Sequence, residues 1–475
     1  MSSNTEASGR YHTDWLNMIY PRLRIARSLL RMDGLFFISI NDCEVAHLRT
    51  ILDEIFGPEN FEGHIHWRRR HNQPNDPTKM LALVAEHLIV YARDSISYKA
   101  AGVGKIALTG NFSNPDNDPR GDWASKPWKV GSDQSGSRYS ISAPSGRILN
   151  EEWMGELDTF QELLADNRII FPNDGNGSPR KKYFRNEREK EGQCATNWWP
   201  HDQFGHNQGA SSAMAVLMGE KNVFDNPKPL ELISGVLSVG NSKDGDIILD
   251  FFAGSGTTGH AVMAQNAADG GNRRYILVQL PEPLDPENKD QKTAADFCNK
   301  LKKPLNISEL TKERLRRAAL KIKDDNPLFA GDLGFRVFKL DSSNIRAWDS
   351  KPEDLDQELL DSVQHVKEGR TESDILYEVL LKLGLDLCVP IETRKLAGKQ
   401  VQSIGAGVLI ACLAESIARD DVEPLAQGIV AWHAELAPAG DTTCVFRDSA
   451  FADDGAKTNL AAILNQHGIM KVRSL

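Results

Sequence analysis

Cysteine is sparse and poorly spaced for metal or disulfide chemistry. There are six in 475 residues (Cys43, Cys194, Cys298, Cys388, Cys412 and Cys444), and no two form a CxxC pair. That argues against both a zinc site and a disulfide framework and leaves buried thiols, so no metal is expected. Long apolar runs are lacking too: none approaches the roughly 18 residues a membrane span needs. The opening MSSNTEASGRYHTDW has neither a basic start nor an apolar stretch, so no signal peptide is read there and a cytoplasmic chain is expected. A basic excess is also missing, the net charge being −10. From Phe335 onward there are 22 acidic and 15 basic residues, so −7 of that total sits in the last third. The earlier part is nearly balanced and carries local basic clusters, which keeps a nucleic-acid partner open.

The length of 475 residues exceeds what one core supports and suits two or three domains. The stretch around which the chain is organised runs from Asp246 to Val262, DIILDFFAGSGTTGHAV. Ile247, Ile248 and Leu249 read as a strand ending at Asp250, followed by a small-residue loop and a helix. Glycines there let a ligand approach the backbone, and the helix start offers unpaired N–H groups. Gly254-Ser255-Gly256-Thr257-Thr258-Gly259 fits GxGxxG, so a nicotinamide dinucleotide is one candidate guest. A second strand, Tyr275 to Leu280, follows at βαβ spacing, and Pro281-Glu282 lie where a ribose partner is expected.

Upstream, Asp14 to Leu30 reads as an amphipathic helix despite Pro21, with Leu16, Ile19, Leu23, Ala26 and Leu30 on one face. The run GLFFISI predicts a parallel strand covered on both faces, and Glu44 to Phe56 a helix stopped by Gly57-Pro58. Gly63 to Arg69 and Glu86 to Ala92 read as strands. The first ends in Trp67-Arg68-Arg69-Arg70, either a solvated strand end or a phosphate contact. Ser97 to Asn222 is turn-rich, with short strands and long loops expected. Its basic patch, Pro179 to Lys190, contains Lys181 and Lys182 and reads as solvated surface or a DNA contact. A Pro-initiated helix follows Phe224, and Asn306 with Glu309 caps a helix whose outer face is basic and solvated. Phe335 to Leu475 reads as a separate α/β module with a strand in GFRVFKL, a helix in ESDILYEVLLKLG, a strand near Gly407 to Ile410 and a helix in KTNLAAILNQHG. Asp448-Ser449 with His467 lacks the nucleophile elbow that a hydrolase requires.

Together these pieces resemble DNA adenine N6-methyltransferases of the permuted β class, most closely the modification (Mod) subunits of type III restriction-modification systems. The likeness is carried by HTDWLNMIYPRLR, DGLFFISI, EIFGPENF, NPDNDPRGDW, NPKPL, Asp250 to His260, GFRVFKLDSSN, and the C-terminal DSAF and KTN segments. It implies an α/β fold: an open, mostly parallel Rossmann-like sheet in permuted motif order, with an inserted recognition region and a small C-terminal α/β domain. The implied divisions are 1–96 and 223–330 for the methyltransferase domain, 97–222 for target recognition and 335–475 for the C-terminal domain. The resemblance implies S-adenosylmethionine at Lys228, Pro229, Asp250, Phe252, Gly254, Gly256 and Thr257. Gln279 stands where many relatives have an acidic ribose partner, a role that passes to Glu282. DNA contacts are expected from Arg68, Arg69, Arg70, Lys181 and Lys182. The implied partners are double-stranded DNA, a helicase-nuclease restriction subunit and a second copy of the chain, with no membrane.

One departure qualifies the implied activity. The family's Asp-Pro-Pro-Tyr motif, which polarises the adenine amine and stacks on the flipped base, is found nowhere in the sequence. The only Asp-Pro pairs begin at Asp76, Asp118 and Asp285. The expectation is an N-terminally truncated or split methyltransferase, silent alone and poorly soluble. The alternative is a non-catalytic DNA-specificity and assembly subunit. A nicotinamide oxidoreductase is disfavoured because no hydride-transfer constellation accompanies the loop.

Overall fold

After the Asp33-Gly34 turn, the apolar run becomes β1 (Leu35–Ile40). It is covered on both faces, as expected, but it pairs antiparallel with β3 (Ala85–Ala92). Phe36 enters a core built by helix α1 (Thr13–Leu29) and helix α2 (Val45–Phe56), with Leu23, Leu48 and Leu52 fully buried. Phe37, one residue on, packs against a separate buried cluster that includes Leu88 and Val90 of β3 and Leu232 of the helix Leu230–Val239. Two-sided burial, not parallel pairing, therefore produced the continuous apolar run. The computed structural model describes residues 12–73, 75, 77–78, 80–346 and 366–475.

These residues divide into two compact units, one up to Gly334 and one from Phe335 onward. In the first, β2 (Phe61–Arg68) joins β3 antiparallel. Five short strands of the turn-rich region follow: β4 (Trp123–Pro127), β5 (Ser137–Ser142), β6 (Ile148–Trp153), β7 (Ile169–Ile170) and β8 (Arg180–Phe184). They form a three-stranded sheet, β4-β8-β7, and a hairpin, β5-β6. The tail of this region then returns as β9 (Trp198–Trp199), parallel to β2. Downstream, β10 (Ile247–Asp250) and β11 (Arg274–Leu277) pair parallel across the helix Thr257–Asp269. The α/β class stands, with sheets of mixed direction rather than mostly parallel ones. Among the described residues β1 pairs only with β3 and β10 only with β11. Each thus keeps one edge without a strand partner. Arg31 to Asp246 at 2.9 Å, and the Phe36 and Phe251 rings 6.4 Å apart, hold these two strands as neighbours.

The second unit is a five-stranded sheet, β12 (Ile391–Leu396), β13 (Lys399–Ile404), β14 (Leu409–Cys412), β15 (Thr443–Phe446) and β16 (Lys471–Ser474), in sequential order. Its first two pairings are antiparallel and its last two parallel. One face is covered by helices Arg419–Leu436 and Asp454–Gln466 through Leu425, Ile429, Trp432 and Leu460. The other is covered by Glu372–Lys382, which starts at a Thr371/Asp374 capping box. GFRVFKL, expected as a strand, is irregular. Val337, Phe338 and Leu340 are exposed, and without a partner strand an apolar alternation has no ladder to join. No helix among the described residues is long and apolar enough to cross a membrane.

Leu425 is fully buried beneath this sheet. Leu425→Ala is expected to cost about 2–5 kcal/mol, read as a lower denaturation midpoint of the second unit.

Candidate functional site

The strand β10 ends by turning Asp250 into the following loop. One carboxylate oxygen accepts from the Phe252 amide at 3.1 Å and the other from the Thr258 hydroxyl at 2.6 Å. Gly254 and Gly256 both have positive φ, +50° and +76°, a region that glycine enters without steric cost. The Gly254 amide donates to Gln279 Oε1 at 2.7 Å, so Gln279 is tied to the loop itself. Gly259 serves packing: a Cβ there would meet Leu315 Cδ2 at 2.8 Å and Leu277 Cδ1 at 3.1 Å. Its absence lets helix, strand and neighbouring helix close on one another.

Beneath the loop lies an arginine on the inner face of the helix whose outer face is expected to be basic and solvated. Arg314, on the helix Ile307–Asp325, is buried and donates to Ser255 Oγ at 2.6 Å and Thr257 Oγ1 at 2.7 Å. Burial lowers its pKa to about 10, so it stays charged at neutral pH. Thr311, one turn earlier, donates to the Gly254 carbonyl at 2.5 Å. Leu310, Thr311, Arg314, Leu315, Ala318 and Ile322 share the buried face. That i, i+4 spacing was the available signal: Arg314 falls on the apolar stripe. His260, behind the loop, is lowered to about 4 by burial and then by Arg314, and is neutral at pH 7.

The Thr257 hydroxyl also reaches the Lys228 carbonyl, at 3.2 Å. This puts the NPKP segment against the glycine loop. The Lys228 ammonium ion-pairs with Glu86 and lies 5.2 Å from the buried Trp67 ring. Pro229 caps the helix Leu230–Val239. Beside Lys228 opens a cavity of about 650 Å³, rimmed by Arg69, Arg70, His71, Glu86 and Asn226. The basic strand end and the NPKP lysine, remote in sequence, thus share one cavity. Arg68 turns aside to the His71 carbonyl. Phe252 is 40% exposed at the mouth of the loop. Glu282 is half-buried, and its carbonyl accepts from the Ile307 amide at 3.0 Å. Gln279, not Glu282, holds the loop.

One expected DNA contact is corrected. Lys182 is fully buried, paired with Asp116 and with Asp118 at 3.2 Å. Strand alternation along β8 turns Lys182 and Phe184 inward, while Lys181 stays half-exposed beside Trp128 and Tyr183. Arg120, then Lys182, holds the Asp118 carboxyl well below its ordinary range.

Three outcomes follow from these contacts. A charge-assisted hydrogen bond is worth about 1.5–3 kcal/mol, so Arg314→Met is expected to speed amide exchange across Gly254 to Thr258 at least about tenfold. Lys182→Met is expected to lower the melting temperature at pH 7, because it removes a cation from between two carboxylates. Asp118→Asn is expected to do so too, and the sign of its pH dependence follows from the depressed carboxyl. Its contribution is complete above 3.8, the ordinary value, and is lost as pH falls through the lower folded value. The deficit of this variant is therefore constant near neutrality and shrinks in acid.

Comparison with known proteins bears on the same segments. Residues 2–280 match the N6_N4_Mtase family model, described as DNA methylase. The chain is 35% identical to the StyLTI Mod subunit, a type III restriction-modification enzyme subunit of Salmonella typhimurium strain LT2, over 69% of this chain and 48% of that one. It is 30% identical to the EcoP15I Mod subunit of Escherichia coli, over 69% of this chain and 53% of that one. The chain spans about half the length of these curated relatives. A Thermus thermophilus structure containing S-adenosyl-L-methionine covers 61% of this chain and 79% of its own at 14% identity, with a TM-score of 0.26, too low to bear on the fold. The match over residues 2–280 takes in β1 to β3, the Lys228 corner and the glycine loop, and by it the chain belongs to the DNA methylase family.

Proposed function

We propose that this chain is the modification subunit of a type III restriction-modification system, a site-specific adenine N6-methyltransferase acting on duplex DNA with S-adenosylmethionine. The observation that carries the reading is the glycine loop, pinned by Asp250, Gln279 and Arg314 and joined through Thr257 to the Lys228 corner. This loop suits a cofactor with a positive sulfonium and no phosphate. The buried cation beneath it, Arg314, is taken up by two hydroxyls, the Lys228 ammonium by Glu86, and the strand-end carboxylate, Asp250, offsets positive charge. Asp250, Phe252, Gly254, Gly256 and Thr257 would hold the cofactor, with Lys228 and Pro229 closing the side. When bound, it supplies an electrophilic methyl group. Arg69 and Arg70, on the rim of the adjoining cavity, would meet DNA phosphates, and the short strands of 97–222 would read bases.

The amine must be held in line with that methyl and its developing charge stabilised. No Asp-Pro-Pro-Tyr occurs in the sequence to do this. The β1 and β10 edges are where a further strand bearing such a group would pair. The same observation favours a second reading, a DNA-specificity and assembly subunit that binds DNA and a restriction partner without methylating.

The test is transfer from labelled S-adenosylmethionine to unmethylated genomic DNA, by the 475-residue chain and by a form carrying an Asp-Pro-Pro-Tyr strand ahead of it. Transfer by the second form alone is expected. Cofactor binding is expected in both and to weaken at least about tenfold in Asp250→Ala, the loss of one charge-assisted contact. DNA binding without transfer by either form would favour the assembly subunit.

A further inference from the structure

Away from the loop and cavity, three imidazoles meet on the α1/α2 side of the first sheet. His64 and His66 are two residues apart on β2 and share a face. His87 on β3 is the direct cross-strand partner of His66. The ring centroids are 4.4, 4.9 and 5.4 Å apart, and one nitrogen from each ring falls within 4.8 Å of the others. His64 Nε2 lies 2.9 Å from His87 Nδ1. The other nitrogen of His87, Nε2, faces Asp42 Oδ1, also at 2.9 Å.

We propose that His64, His66 and His87 form a binding site for a zinc-class divalent cation, with Asp42 orienting His87 from behind. Three imidazole nitrogens with a water in fourth place are a standard zinc set. A carboxylate behind a ligating imidazole fixes its tautomer and raises its basicity. Here Asp42 accepts from His87 Nε2–H, which leaves the His87 Nδ1 lone pair aimed at the centre. His64 then carries its proton on Nδ1 and offers Nε2. At zinc–nitrogen distances of about 2.0–2.1 Å, tetrahedral ligands stand about 3.3–3.4 Å apart. The 2.9 Å pair need open only by about 0.4 Å to meet that spacing. The site ties residues 64, 66 and 87 together. Their neighbours Trp67 and Glu86, on the opposite face, make the Lys228 corner, so a cation there braces that corner from beneath. The expectation of no metal rested on cysteine spacing, which is blind to histidines joined by strand pairing.

The test uses the full chain stripped with EDTA and titrated with Zn²⁺ by calorimetry and Co²⁺ by visible absorption. One equivalent of Zn²⁺, tetrahedral-type Co²⁺ bands and a melting temperature that rises with zinc concentration are expected. His64→Asn and His66→Asn should each abolish all three, Asp42→Asn should weaken binding about 10–100-fold, and His47→Ala, in the neighbouring His12, Glu44 and His47 group, should change nothing. Circular dichroism of the metal-free variants checks that they fold. No zinc-dependent stabilisation of the unaltered chain would overturn the proposal. So would undiminished binding in His64→Asn and His66→Asn, or loss of binding in His47→Ala.

Discussion

A charged guanidinium buried under a glycine loop is the constraint on which this site turns. Burying a cation is costly, and each donor that is taken up offsets part of that cost. Arg314 gives two of its donors to the hydroxyls of Ser255 and Thr257 and leaves Nε without a partner. The loop cannot move without stranding the rest. Because Ser255 lies in the turn after β10 and Thr257 opens the helix that follows, Arg314 positions the segment where a ligand would approach. Thr311 on the Gly254 carbonyl and the close packing at Gly259 serve the same end. The helix Ile307–Asp325 therefore acts as a cradle for the loop.

From that anchor the contacts run outward in one chain. Thr257 reaches the Lys228 backbone, and the Lys228 ammonium reaches Glu86 on β3 and Trp67 on β2. Lys228 thereby joins the glycine loop to the antiparallel sheet, beside the Phe36–Phe251 ring contact. Arg69 and Arg70 stand at the cavity beside it. The −10 net charge consequently says little about this face, since most of the acid excess belongs to the second unit.

Parts of this were legible in the amino-acid order. The helical period of α1, the Gly57-Pro58 stop after α2, the Asn306 cap and the strand, glycine loop and helix are local signals, carried by residues within one or two turns of each other. The residues Asp250, Gly254, Gly256 and Thr257 could be named for the same reason: their relation is set by backbone geometry within one short segment. The error at Lys182 was also one of context. A lysine in a basic run reads as solvated until the strand's alternation and two distant aspartates, Asp116 and Asp118, are known.

By itself, then, the sequence determined the elements and the chemistry of the loop, because hydrophobic period, capping and positive-φ glycines act over short range. Only the tertiary structure decided what pairs with what. It set β1 antiparallel to β3, left β1 and β10 each with an edge unpaired among the described residues, turned Arg314 inward, and brought three histidines together across two strands. Strand direction and the burial of a charge depend on partners tens to hundreds of residues away, and no local pattern encodes which partner arrives.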